Sequence, residues 1–416
     1  MAAMPDRPDI LVVMTDQQRA DTLGCLGAVH VQTPHLDRLA ERGVLFPLAF
    51  TPVPICSPAR ASLWTGLYAH QHGVRDNVYR VPDALAVTGS RSVFPDLAEA
   101  GYRTVYIGKW HLGEEAPPGI EVWGGYNSKL PHWLGGAEGP KTYRPFAETA
   151  QAIDVLERDD GRRPLCMVVS YYPPHPPFDP PSAYRAAHGG APRPGYFGAV
   201  RAIDDCVGRL LDALDRSGRA QRTAVVFCSD HGQRMQLDDE ENLKRNLLDE
   251  TVRIPMILVP PGGLPDGGRR SRHLVGLMDV APTMRALVGL PAPAGDGPSA
   301  SLLPLLEGDD HPWRSALLLQ NQTRGDQDPD GRVRVHRAVR TADAKLILRQ
   351  GRPPAIFDLR VDPREQHNLM ERVPQPRGPL RRLAERMRQL GADSGDAVAV
   401  EAAEQILEAT AAAVRR

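Results

Sequence analysis

Cys56 opens the run Cys56-Ser57-Pro58-Ala59-Arg60, which joins a modifiable thiol, a helix start and a fixed cation. Pro58 suits the first position of a helix. A Cys just ahead of it would sit where unpaired N–H groups and the positive dipole end favour anionic oxygens. Arg60 adds a charge that cannot be deprotonated. On local chemistry Cys56 also reads as a packed structural thiol or an ordinary thiolate nucleophile. Hydrolysing an anionic ester needs a nucleophile, positive charge around the non-bridging oxygens and a proton for the leaving oxygen. Other residues of suitable type end apolar runs. Asp16 and Gln17 follow Ile10 to Met14, and Asp230 and His231 follow Ala224 to Phe227. Singly, such an Asp is more often a turn or cap residue; together they are hard and borderline ligands able to hold a cation.

The elements that must position these groups alternate between strand and helix signals through the first two-thirds of the chain. That pattern predicts an α/β fold with a large, mostly parallel sheet sandwiched by helices. Ile10 to Met14 reads as a fully buried strand, with Tyr102 to Ile107, Leu165 to Val169 and Ala224 to Phe227 as further strands. Thr33 is expected to cap a helix opened by Pro34, and Tyr196 to Leu214 has helical spacing. Composition turns to Pro, Gly, Ala and Leu between Pro291 and Pro312. This places a boundary near Asp310, with a catalytic domain over 1–310 and a smaller sheet-plus-helix domain over 311–416. Leu380, Leu383, Met387 and Leu390 mark an amphipathic helix there. The polar stretch Thr323 to Arg334 reads as a disordered or substrate-facing loop. Glu114 to Tyr143 reads as a second specificity loop, where Trp123, Tyr126 and Trp133 are placed to stack on a ring or to pack the core.

The run Pro54 to Gly66, with its Cys-x-Pro-x-Arg core, resembles the signature of the type I sulfatases of the alkaline-phosphatase-like superfamily. The stretch Gly101 to His111, ending Gly108-Lys109-Trp110-His111, resembles that family's second signature. The resemblance implies that Cys56 is oxidised to formylglycine by a separate formylglycine-generating enzyme, and that the aldehyde hydrate attacks sulfur. It further implies that Asp16, Gln17, Asp230, His231 and residue 56 hold one divalent metal. Lys109 and Lys244 would contact the sulfate, and His111 would act on the formylglycine hydroxyl. His175, in the proline-flanked run Pro173 to Phe178, would protonate the leaving alcohol. Asn77 is expected either to line the substrate pocket or to serve a turn.

Two positions depart from the commonest family pattern. Gln17 stands where a second Asp is usual, and His231 where some members have Asn. Both weaken a purely Ca²⁺ assignment, since imidazole suits transition metals; Ca²⁺ stays the expected ion, with Mn²⁺ or another divalent ion as the alternatives. They also resemble the related phosphonate monoester hydrolases, which makes a phosphonate monoester or phosphodiester hydrolase the rival activity. A non-catalytic binder of sulfated ligands is the other alternative.

Fifty Lys plus Arg against 51 Asp plus Glu give a net charge of -1, so no global field draws the chain to nucleic acid or an anionic membrane. The first apolar run is too short for a signal or a membrane span. Five cysteines without repeated spacing do not read as a disulfide framework. A cytoplasmic enzyme acting on a small-molecule sulfate ester is the expectation. Nothing in the sequence speaks to oligomeric state.

Overall fold

The computed structural model describes residues 7–135, 141–235, 244–291, 297–327, 333–371 and 376–412. Eight strands form the main sheet: β1 (Asp9–Asp16), β2 (Val44–Leu45), β3 (Arg103–Lys109), β4 (Val122–Tyr126), β5 (Leu165–Pro174), β6 (Thr223–Ser229), β7 (Met256–Val259) and β8 (Arg269–Arg270). Their spatial order is β8-β2-β7-β6-β1-β5-β3-β4. Strands β6, β1, β5, β3 and β4 run parallel, while β7 is antiparallel to both β6 and β2. The sheet is therefore mixed but mostly parallel, as expected.

Strand β1 shows why this sheet must be covered twice. Alternation sends Ile10, Val12 and Met14 into one core and Leu11 and Val13 into the other. Helix α2 (Cys56–Thr65) adds Ala59, Ala61, Leu63 and Trp64 to the first core. Helices α1 (Pro34–Ala40), α3 (Arg144–Arg158) and α4 (Pro194–Arg216) close the second.

A separate antiparallel sheet follows, ordered β9 (Ala316–Gln327), β10 (Val333–Thr341), β11 (Ala344–Arg349) and β12 (Ala355–Asp358). Helices α5 (Arg377–Ser394) and α6 (Ala397–Ala412) come after it, and Leu380, Leu383 and Met387 are buried against the sheet. Its core is shared with Phe50, Tyr68, Leu247 and Val252 of the earlier chain.

Three local expectations are corrected. Helix α2 begins at Cys56, so Pro58 is its third residue rather than its first. The first turn tolerates this because its N–H groups have no intrahelical acceptor to lose. Thr33 makes no side-chain cap. Its hydroxyl accepts from Gly24 N, and the Asp204 carboxylate instead takes the N–H groups of His35 and Leu36 at 3.1 and 2.8 Å. Finally, Thr323 to Gln327 and Val333–Arg334 belong to strands β9 and β10 rather than to a loop, and 328–332 lies outside the described residues.

Candidate active site

Carboxyl ends of parallel strands gather the polar groups. Strand β1 delivers Asp16 and Gln17, β3 delivers Lys109, β5 leads to His175, and β6 leads to Asp230 and His231. This is where open α/β sheets bind ligands. Helix α2 starts among them, and Asn77 Oδ1 accepts from Ser57 N at 3.1 Å, a tertiary cap that fixes the helix start.

Arg60 forms the floor. Its Nη2 donates to Asp16 Oδ2 at 3.0 Å and its Nε to Asp230 Oδ2 at 2.9 Å, with all three side chains sealed from solvent. A third donor, Nη1, reaches Ser170 Oγ at 3.0 Å and the Lys109 carbonyl. Gly108 permits the close pairing of β3 with β5 at Ser170. Its φ is +99°, and a Cβ there would meet Ser170 O at 2.1 Å. Lys109 Nζ donates to Asp16 Oδ2 at 2.6 Å while lying 4.2 Å from the Tyr172 ring centroid.

The Cys56 thiol faces this cradle. His231 Nε2 is 3.3 Å from Sγ, Lys244 Nζ donates to it at 3.1 Å, and Asp16 Oδ1 is 3.7 Å away. Asp16, Cys56, Asp230 and His231 each offer one ligand atom, all within 4.8 Å of one another. His231 Nδ1 lies 2.8 Å from Gly232 O, so it carries the proton and turns the Nε2 lone pair toward the cluster. Gln17 Nε2 donates to Gln233 Oε1 at 2.8 Å, leaving Gln17 Oε1 a buried acceptor with no partner. Two carboxylates, an imidazole and an orphaned amide oxygen fit a divalent cation.

Charge sets the protonation states. Burial raises the Cys56 pKa, but Lys109, Lys244 and His231 outweigh it and hold the thiol well below its usual value. Burial, with Asp16 nearby, pushes Asp230 up to about 6, whereas Lys109, His175 and Arg60 overcome burial at Asp16 and lower its pKa. Burial opposes a charge on His231, yet Asp230 and Cys56 outweigh it and raise its pKa. Burial, then Lys109, lowers His111 to about 4; burial, then Lys244, lowers His175 to about 4. Both rings are neutral at pH 7.

A stability prediction follows. Between about 6.5 and 4 the unfolded chain takes up protons at His111 and His175 that the folded chain refuses. Stability is therefore lost as pH falls through that window, by up to about 3 kcal/mol per ring. Cys56, also lowered, acts in the same direction, Asp16 does so only below pH 3.8, and His231, raised, acts the other way. Asp230 also opposes His111 and His175, because its raised value costs roughly 3 kcal/mol as pH rises from 3.8 to about 6. Replacing His111 and His175 by Gln should shrink the Tm difference between pH 7 and pH 5 in chelator, and a difference unchanged from wild type would contradict these assignments.

The structure brings together Asp16, Gln17, Cys56, Arg60, Lys109, His111, His175, Lys244, Asp230 and His231. Asn77 reaches the site through the α2 start. His175 Nε2 accepts from Lys244 Nζ at 3.3 Å, and its Nδ1 is 2.8 Å from Pro176 O. The small sheet holds Lys244 in place: Asn321 Nδ2 donates to Arg245 O at 2.8 Å, and Lys345 Nζ to Leu247 O at 2.9 Å. Sequence reasoning passed over Ser170, Tyr172, Gln233 and Tyr79, as well as His132, which pairs with Asp179 at 2.7 Å and packs its ring 5.0 Å from that of Tyr172. Trp123, Tyr126 and Trp133 are packing residues instead. Trp123 sits on Tyr106 and Trp110, Arg144 covers Tyr126, and Trp133 Nε1 donates to Asp179 O.

A cationic cradle with a nucleophilic residue at a helix start, set at the strand ends of this sheet, defines a hydrolase of anionic esters. The family model "Sulfatase" matches residues 8–290, and "N-sulphoglucosamine sulphohydrolase, C-terminal" matches 242–393. The chain belongs to the sulfatase family, whose members are sulfuric ester hydrolases. It is 30% identical to an uncharacterized sulfatase YidJ of Escherichia coli, over 88% of this chain and 84% of that protein. It is also 30% identical to an ulvan-active sulfatase of Formosa agariphila, over 88% and 78%. A solved putative sulfatase from Bacteroides fragilis shares the fold at TM-score 0.80 and 24% identity, covering 96% of this chain and 98% of that one. The phosphonate monoester hydrolase of Agrobacterium radiobacter does so at 0.74 and 23%, covering 93% and 96%. No described helix is long and apolar enough to cross a membrane.

Proposed function

We propose that this protein releases sulfate from a small-molecule sulfate monoester, with Cys56 converted to formylglycine by a formylglycine-generating enzyme and a divalent metal held beside it. The observation that carries the reading is the Cys56 sulfur, buried at the start of α2 within reach of Lys244, His231 and Asp16, with Arg60 behind the two carboxylates. Asp16, Asp230, His231 and residue 56 would hold the metal, and the free Gln17 Oε1 would complete the set. Oxygen donors predominate, so Ca²⁺ is our assignment, with Mn²⁺ the alternative that His231 admits. When bound, the cation supplies Lewis-acid charge at the ester oxygen and orients the oxygen of residue 56.

The chain's own groups do the rest. Arg60, Lys109 and Lys244 set three positive charges against two carboxylates, which favours a bound sulfate before any metal is counted. The buried His111 ring interacts with the side chain of residue 56, and being neutral it is suited to take a proton from it. His175 shares its Nε2 with Lys244. An arriving sulfate supplies the negative charge that favours a proton on that nitrogen, from which the leaving alcohol is protonated. Asn77 acts by fixing the helix start.

Lys109→Ala or Lys244→Ala is expected to lower kcat by roughly 10²–10³, the loss seen when one preorganised donor is removed from an oxyanion site. Unchanged turnover would remove that lysine from the cradle. We assign the catalytic unit to 1–310 and the smaller unit to 311–416. With all five cysteines free, we place the protein in the cytoplasm. Co-expression with a formylglycine-generating enzyme, followed by assay of sulfate release from an aryl sulfate, tests the reading. No release from converted, metal-loaded protein would overturn it.

A phosphonate monoester hydrolase is the second reading. It is favoured by Gln17 and His231, the two departures already noted.

A further inference from the structure

Tyr79 is 44% exposed, yet its ring centroid lies 5.4 Å from that of His111, which is itself buried beside Cys56. Lys129 Nζ stands 4.1 Å from the Tyr79 centroid. Moving outward from the reacting centre, the order is therefore His111, Tyr79, Lys129, then solvent. Lys129 is exposed and takes part in no ion pair among the described residues. The nearby Glu114 is engaged by Asn127 Nδ2 at 2.7 Å. Lys129 also holds a left-handed backbone at φ 62°, which costs a residue with a Cβ roughly 1–2 kcal/mol. Such strain at the mouth of a site is stored where a side chain has to be presented. Arg80, next to Tyr79, is likewise exposed at a positive φ of 59°.

We propose that Tyr79 and Lys129 form the leaving-group subsite, and that it selects esters whose alcohol half is a ring bearing a second anionic group, a carboxylate or another sulfate. This rests on the sulfate-ester reading above. With no ligand, Lys129 lies over the Tyr79 face, an exposed cation–π contact worth about 0.5–1 kcal/mol. A neutral ring would have to displace the ammonium with nothing to replace the contact. A ring carrying its own anion draws the ammonium off and exchanges the contact for an ion pair. The subsite therefore works by disfavouring neutral alcohols as well as by attracting charged ones. The three aromatic residues of the neighbouring segment pack elsewhere, so among the described residues Tyr79 is the exposed ring at this mouth.

The test compares kcat/KM for a monosaccharide monosulfate and for the same sugar carrying a second sulfate, using converted, metal-loaded protein. Wild type should prefer the disulfate by about fivefold, the scale of one partly shielded ion pair. Lys129→Ala should bring the ratio to about one and Lys129→Glu below it, while Arg381→Ala, at an exposed cation of helix α5, leaves it unchanged. Tyr79→Ala should raise KM for both sugars and Tyr79→Phe should restore it, because the ring face and not the hydroxyl is used. A ratio near one in wild type, or one that Lys129→Ala does not alter, overturns the subsite while aryl sulfate hydrolysis still stands. Failure to hydrolyse any sulfate ester overturns the functional reading, and the subsite with it.

Discussion

Cys56→Ala is expected to abolish sulfate release, with turnover falling by roughly 10⁴-fold or more, the scale of losing a nucleophile. The protein should stay folded, because the first turn of α2 is set by Asn77, Ser57 and the Ile55 carbonyl rather than by the thiol. Mass analysis of the wild-type peptide containing residue 56 makes the result specific. Conversion replaces the thiol's sulfur by oxygen, and activity should track the converted fraction across preparations. A Cys56→Ala protein that keeps more than about a tenth of wild-type turnover would place the nucleophile elsewhere. Activity independent of conversion would show that the unmodified thiol suffices.

Arg60→Met should have the largest effect on stability. The guanidinium is fully buried between Asp16 and Asp230, and its removal leaves Asp230 without its cation and Asp16 with Lys109 alone. Breaking a buried pair from one side costs about 3–5 kcal/mol, to be read as a lower urea midpoint, together with loss of turnover. Arg60→Lys retains the charge but not the fork that serves both carboxylates and Ser170 Oγ, so it should recover part of the stability and little of the activity. A divalent cation should also recover part of the Arg60→Met loss, because it would neutralise the same two carboxylates. An unchanged midpoint in Arg60→Met would mean that the pair is not a determinant of the fold.

What the sequence reveals here is local chemistry joined to short apolar runs. Ile10 to Met14 and Ala224 to Phe227 announce buried strands, and the polar residues after them lie at strand ends because parallel sheets leave those ends open. Asp16, Asp230 and His231 could therefore be found without coordinates. Other features depend on tertiary neighbours that no window contains. Helix α1 is capped by Asp204, 168 residues away, and not by Thr33. Lys244 meets Cys56 across 188 residues, and its segment is held by a sheet that begins only at Ala316. Tyr79 and Tyr172 are ordinary aromatics until His111 and Lys109 are seen beside them. Trp123 and Trp133 look like ligand platforms until the rings and carbonyls they pack on are known. Polar composition misled at Thr323 to Gln327, which β9 carries through a register irregularity after Gln322 before Gln327 pairs with Val333 of β10.

Gln17 and His231 are the two departures that favour the phosphonate reading, and the cradle around them bears on both esters. Its three cations face two carboxylates, a balance that suits the monoanion of either a sulfate or a phosphonate monoester, so relative rates are what separate them. The most direct measurement is the ratio of kcat/KM for an aryl sulfate to that for the matching aryl phosphonate monoester, on converted protein with its metal restored. The account predicts a ratio well above one that collapses for both substrates in Cys56→Ala. A ratio below one would contradict it and assign the site to phosphonate esters.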